Sequence, residues 1–165
     1  MAVNTNIITY NQVLSLFKEF ATKHLNVNEF DSGNLYEIAE REGSVMADYS
    51  YPLMFVEDQP FSTSTNTLTY SFDIILMDIV HSKDGNDYEP EIKSDMMSVA
   101  LDLQAYIKVN PLLGSDSVRL VLDDSGTIVT FKRRFDDNVA GVILSISMTQ
   151  PVNYDKCSIP NTDNI

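Results

Sequence analysis

The chain is short of what the common kinds of catalysis need. Cys157 is the one cysteine among 165 residues, which excludes an intrachain disulfide, a thiolate zinc cluster and a CxxC redox pair. His24 and His81 are the whole imidazole supply. No GxSxG, HExxH, GxxxxGKS/T or GxGxxG occurs, so nucleophile, zinc and phosphate sites lack their local signatures. Cations are scarce as well: 11 Lys and Arg stand against 24 Asp and Glu, a net charge of -13. Duplex DNA is held by basic groups that displace counterions from phosphate, so general nucleic-acid affinity is not expected, while an acidic surface lets DNA pass without sticking. Acidic charge also keeps a protein in solution. No apolar run approaches the ~18 residues of a membrane span, and the opening MAVNTNIITY lacks the basic start and apolar core of a secretory signal. A soluble protein made in a cytoplasm is the expectation.

What is present is a globular composition, 44% hydrophobic and 21% charged. At this length one domain buries roughly 70% of its unfolded surface without metal or disulfide. Residues 1–8 read as an arm, 9–150 as a single domain and 151–165, which has no periodicity, as an extended tail. A T-x-x-Q capping box at Thr9 and Gln12, with Ile8 and Val13 as hydrophobic staple, predicts a helix to about Leu25. Its apolar stripe is Tyr10, Val13, Leu14, Phe17, Phe20, Ala21 and His24. Between residues 26 and 50 the pattern weakens, with Asp31-Ser32-Gly33 as a turn and residues 35–40 as a strand or short helix.

Residues 51–80 carry the clearest signal: a short apolar strand to Glu57, a polar loop and a long alternating strand. Leu68, Tyr70, Phe72, Ile74 and Leu76 share one face, and Thr69, Ser71, Asp73, Ile75 and Met77 share the other. The second face turns apolar from Ile75 onward, which predicts cover on both sides there by a helix, a loop or another chain, a first hint of assembly. After a charged connection, a second helix is expected from about Ser94 to Lys108, with Met96, Met97, Ala100, Leu103 and Ile107, widened by Val99 and Leu101, packed inward. A three-strand meander follows: residues 117–122, a turn at Asp123-Asp124-Ser125-Gly126, 127–135, a turn at Asp136-Asp137-Asn138, and 139–149. In the last strand Ala140, Val142, Leu144, Ile146 and Met148 oppose Ser145, Ser147 and Thr149.

No catalytic, cofactor or metal site is expected. The run Asp84-Gly85-Asn86-Asp87-Tyr88-Glu89 offers oxygen ligands without the spacing of a calcium hand, and reads as a solvated turn. Asp73 and Asp78 alternate to opposite strand faces and make no paired-carboxylate site. Two segments remain as candidate subunit or neighbour contacts. One is the loop of Asp58, Gln59, Pro60, Phe61, Ser62, Thr63, Ser64, Thr65 and Asn66, because long surface connections concentrate partner contacts. The other is the basic cluster Lys132, Arg133 and Arg134, with Arg133 beside Phe131 and Phe135 on one strand face. It complements an acidic surface on another copy or neighbour, or else is a solvated face paired with nearby aspartates.

In its order of elements, over residues 9–150, the chain resembles the tail-terminator and tail-completion proteins of tailed bacteriophages, and most of all the small neck or tail ring proteins of crAss-like phages of Bacteroidales. The resemblance rests on Tyr51-Pro52-Leu53, the D-I-x-x-x-D pattern from Asp73-Ile74 to Asp78, and the Ser94-Asp95 helix start. The acidic loop and the C-terminal tail lie outside it. The resemblance implies an α+β fold, a mixed and mainly antiparallel sheet with two helices on one face. It implies a non-enzymatic virion protein forming a homo-oligomeric ring between portal and tail, touching portal and other neck or tail ring proteins. DNA would pass through the lumen without sequence-specific contact, and the protein would reside in the virion after synthesis in the host cytoplasm. Two other readings stand beside it: a small monomeric ligand-binding or regulatory domain, and, more weakly, a hydrolase working through Asp or Glu.

Overall fold

A computed structural model describes residues 7–34, 49–80, 82–83, 86–112, 118–134 and 139–152, with the backbone alone for 82–83, 86–87 and 133–134. In chain order it contains α1 (Tyr10–Lys23), β1 (Glu29–Ser32), β2 (Leu53–Thr63), β3 (Thr67–Ile79), β4 (Ser82–Lys83), β5 (Asn86–Asp87), α2 (Glu89–Val109), β6 (Val121–Leu122), β7 (Thr127–Arg134) and β8 (Val139–Pro151). The fold is α+β: a mixed, mostly antiparallel sheet ordered β1-β2-β3-β8-β6, with β7 also on β8 and a separate β4-β5 pair. Among the described strands only β1 runs parallel to its neighbour. The predicted element at 35–40 and the turn at 136–138 lie outside the described residues.

The capping box forms as the sequence dictates. Gln12 N–H donates to Thr9 Oγ1 at 3.4 Å and Thr9 N–H donates to Gln12 Oε1 at 2.7 Å, satisfying donors that the helix start leaves open. The buried stripe is Val13, Leu16, Phe17, Phe20 and Ala21, so Leu16 takes the central place expected of Leu14, which only flanks the core. The helix stops at Lys23 because His24 turns extended, and Leu25 is left almost fully exposed. Asp31 and Ser32, expected in a turn, belong to β1, and the chain turns at Gly33, whose φ of 144° disfavours a side chain.

The second helix begins at Glu89, five residues ahead of Ser94. Pro90 in the first turn gives up no helical hydrogen bond, and Glu89 and Glu91 meet the positive end of the helix dipole, so both devices favour the earlier start. Ile92, Met96, Val99, Ala100, Leu103 and Ile107 face inward, whereas Met97 and Leu101, expected to pack, are exposed on the next helical row.

The C-terminal strands are not a three-strand meander. β6 pairs with Thr149 and Met148 and β7 with Ser145 to Val139, both antiparallel to β8 and both on the edge away from β3. They therefore run in one direction as a single interrupted strand. The tract Asp123-Asp124-Ser125-Gly126 makes a bulge without reversing the chain.

Both helices bury their stripes on one sheet face, against Met54, Val56, Phe72, Ile74, Val142, Leu144 and their neighbours. The other face is apolar only at one end, where Leu53, Phe55, Ile75, Met77, Phe131 and Val139 form a second cluster with Tyr49 and Tyr51 packed against it. The cover expected beyond Ile75 is therefore supplied within the chain, and the hint of assembly drawn from it falls away. At this end β8 approaches β3 so closely that a Cβ on Gly141 would lie 1.9 Å from the Leu76 carbonyl oxygen and 2.9 Å from Met77 Cα. Both obstacles are backbone and cannot swing aside.

Gly141→Ala is expected to cost about 3 kcal/mol or more through overpacking. Gly126→Ala, whose new methyl would crowd the flexible Gln104 amide at 3.3 Å and stand in ordinary contact with Ser145 O at 3.5 Å and Ile146 Cγ2 at 3.6 Å, is expected to be nearly neutral. Urea unfolding of the two variants beside the parent checks the contrast.

Candidate assembly surface

Of the loop expected at residues 58–66, the first six belong to β2, and only Ser64, Thr65 and Asn66 make the turn into β3. Pairing persists because β2 takes up one extra residue between Gln59 and Ser62, a bulge that includes Pro60, which has no N–H to give to a ladder. The insertion reverses the alternation beyond it. Phe61, which strict alternation from Glu57 would place on the far face, comes to the helix side and packs on Tyr70 at 5.0 Å, Phe72 at 5.7 Å and Tyr10 at 5.8 Å between ring centroids. It remains 40% exposed, so the hairpin is pinned to the core by a ring that still faces solvent. Tyr10 adds a second pin by donating its hydroxyl to the Asp58 carboxylate at 2.8 to 2.9 Å. Burial, and then the Asp58 hydrogen bond and charge, push the Tyr10 hydroxyl up to about 12.

The two ends of the described chain meet the same hairpin. Ile8, assigned to the arm by sequence, is buried, and the fully buried Gln150 amide grips its backbone from both sides. Ile8 N–H donates to Gln150 Oε1 and Gln150 Nε2 donates to Ile8 O, each at 2.8 Å. Tyr70 donates a third bond to Ile8 O at 2.9 Å. Val152 N–H donates to Asn66 O at 2.8 Å.

The basic cluster lies at the opposite end of the sheet. Arg134 is level with Val139 and thus with Ile79, whereas the hairpin turn follows Thr63 and precedes Thr67. Twelve steps along β3 separate the two levels, about 40 Å. The fold does not bring the two predicted contact segments together. Lys132 is exposed, with Nζ 3.8 Å from Glu89 Oε1. Glu89 is buried at the start of α2 and also pairs with Lys93. The side chains of Arg133 and Arg134 lie outside the described residues. Lysine and a register shift on an exposed edge strand also discourage unwanted strand pairing, a second use for this cluster.

Sequence reasoning missed a polar ladder on the face away from the helices. Thr69 and Thr149 hydroxyls are 2.9 Å apart, and those of Ser71 and Ser147 are 3.0 Å apart. Ser145 Oγ donates to one Asp73 carboxylate oxygen, and Gln59 Nε2 donates to the other at 2.8 Å. Each strand's polar alternation was visible in sequence, but their pairing depends on β3 and β8 being neighbours. His24 has a structural place: Nδ1 accepts the Asn26 N–H, and Nε2 lies 3.2 Å from Asp102 Oδ2. His81 and Cys157 fall outside the described residues, as does part of the acidic run 84–89. Among the described residues no cluster of three His, Cys, Asp or Glu is placed to hold a metal, and no helix is long and apolar enough to cross a membrane. A shallow cleft of about 190 Å³ lies between the end of α1 and β1, lined by Ala21, Val27 and Phe30 among others.

Gln150→Leu is expected to lower stability by about 2 kcal/mol, because it strips the Ile8 N–H of its partner inside the core. Hydrogen exchange at Ile8 and denaturant unfolding measure it. Tyr10→Phe is expected to lose about 1 kcal/mol at neutral pH with the Asp58 bonds. A hydroxyl raised in the folded state stabilises fully below its unfolded value of 10, and that stability is lost as pH rises toward about 12. The difference between parent and variant should therefore narrow across that window in pH-dependent unfolding.

No protein-family model matches the chain, and no curated protein matches it.

Proposed function

We propose that the protein is a non-enzymatic structural subunit of a virion, forming a closed ring in the neck or tail around the DNA channel, in contact with the portal and adjoining ring proteins. The observation that carries this reading is the separation of the candidate contact segments to opposite ends of the sheet. A surface used at one end against a different surface at the other is a heterologous contact, and heterologous contacts repeat into rings when the rotation closes. The hairpin turn, Ile8 and Val152 gather at one end of the sheet, where a neighbour could meet all three. The net charge of -13 supports passage of DNA through the ring without adhesion.

The rival reading is a small monomeric ligand-binding or regulatory domain, and the cleft beside β1, at about 190 Å³, is smaller than the roughly 300 to 1,000 Å³ usual for small-molecule sites.

Light scattering on purified protein across a concentration series, followed by imaging of large species, tests the proposal. Closed oligomers of one size are the expected result, and co-purification with virions the expected location. Arg133→Glu with Arg134→Glu should reduce assembly while leaving the circular dichroism melt unchanged. Rings of normal yield from that double variant would remove the basic cluster from the contact.

A further inference from the structure

The sheet face away from the helices divides across its middle. At one end Leu53, Phe55, Ile75, Met77 and Val139 are at most 4% exposed beneath their own chain. Toward the hairpin the ladder of Ser71, Asp73, Ser145, Ser147 and Thr149 is only partly buried. We infer that this open half-face receives the Lys132–Arg134 edge of a second copy of the chain. The inference rests on the ring reading and names the two surfaces that would meet.

Charge supplies the first reason. Glu57, Asp73 and Asp123 belong to the open half-face, placed there by register and by the Thr149 to Asp123 hydrogen bond, and outnumber the exposed Arg119, which stands at its margin two residues before Val121. Lys132, Arg133 and Arg134 are three of the chain's 11 cations in consecutive positions. Carboxylates on one surface and a basic run on the other are complementary, and guanidinium forks suit carboxylate oxygens in particular.

Geometry supplies the second. The cluster ends level with Val139, whereas the ladder begins level with Ser145 and continues to Thr149. At about 3.3 Å per residue Arg134 stands about 20 Å from the nearest rung and about 33 Å from the last, and Lys132, next to the Phe131–Gly141 pair, about 16 Å from the nearest, so a copy does not fill its own half-face. A neighbour displaced along the strands does, and that displacement is the heterologous relation a ring requires.

Surface shape supplies the third. The Ser and Thr side chains are small and tied to one another across the strands, so little side-chain freedom is lost when another surface settles on them. The ladder spans about 13 Å along the strands and about 14 Å across. That is near a quarter of the ~800 Å² each partner gives to a standard interface, so the pairing sets register while the flanks add area.

Disulfide trapping in a Cys157→Ser background tests the contact. Lys132→Cys combined with Ser147→Cys should yield intermolecular linked species on oxidation, and neither substitution alone should. Independently, the assembly lost in Arg133→Glu/Arg134→Glu should return to within about threefold of the parent when Glu57→Lys and Asp123→Lys are added. Circular dichroism melts identify any variant that fails to fold, and the trapping experiment decides the matter without reversed charges. Parent rings with neither trapping nor rescue would overturn the pairing and leave the ring reading standing. Trapping of Ser147→Cys on a different virion protein would overturn it in favour of that partner. A parent that stays monomeric at every concentration and is absent from virions would overturn both.

Discussion

The structure depends on the full-length pairing of β3 with β8. Thirteen residues of one face thirteen of the other, from Thr67 opposite Pro151 to Ile79 opposite Val139, without a register shift. This seam aligns Tyr70, Phe72, Ile74 and Leu76 with Met148, Ile146, Leu144 and Val142, so a single continuous apolar surface faces both helices. A slip of one residue would send every one of these side chains to the opposite face. Gly141 belongs to the same constraint, since the approach of β8 to the Leu76 carbonyl leaves no room for a Cβ.

From this seam the rest of the sheet is built outward, and each edge is interrupted. Beyond β1, β2 carries Pro60 and a bulge; on the far side, β6 and β7 are divided by an acidic bulge, and β7 ends in cations at a register shift. Such devices limit indiscriminate strand pairing. For a protein proposed to assemble, that matters. A subunit that joined neighbours through bare edges would risk open-ended stacking, whereas contacts through a face and a charged edge can be limited to one geometry.

The same seam closes the domain. β8 carries Gln150 to the place where the chain enters α1, and the buried amide replaces with side-chain bonds the partners that Ile8 would lose to water. Among the described residues no buried side-chain donor or acceptor is without a partner. The polar groups in this core are few, and each has a positional task.

Local pattern was legible where the physics is local. The Thr9 and Gln12 box, the helical stripe through Val13 and Phe17, and the alternation in β3 and β8 depend on spacing within one segment, and the amino-acid order alone determined them. It also determined the acidic balance and the lack of the common catalytic signatures. Tertiary structure decided what depends on distant neighbours. Residues 58–63 read as a polar loop, yet they stay in the sheet because β3 continues to pair with them and Phe61 finds Tyr10, Tyr70 and Phe72. Asp123-Asp124-Ser125-Gly126 reads as a hairpin turn, yet it is a bulge because β8 is long enough to pair on both sides of it. The polar ladder and the 40 Å separation of hairpin and basic cluster follow from strand order, which a one-dimensional pattern does not contain. Side-chain periodicity tells a residue which way it faces; only the neighbouring strand tells it what it meets.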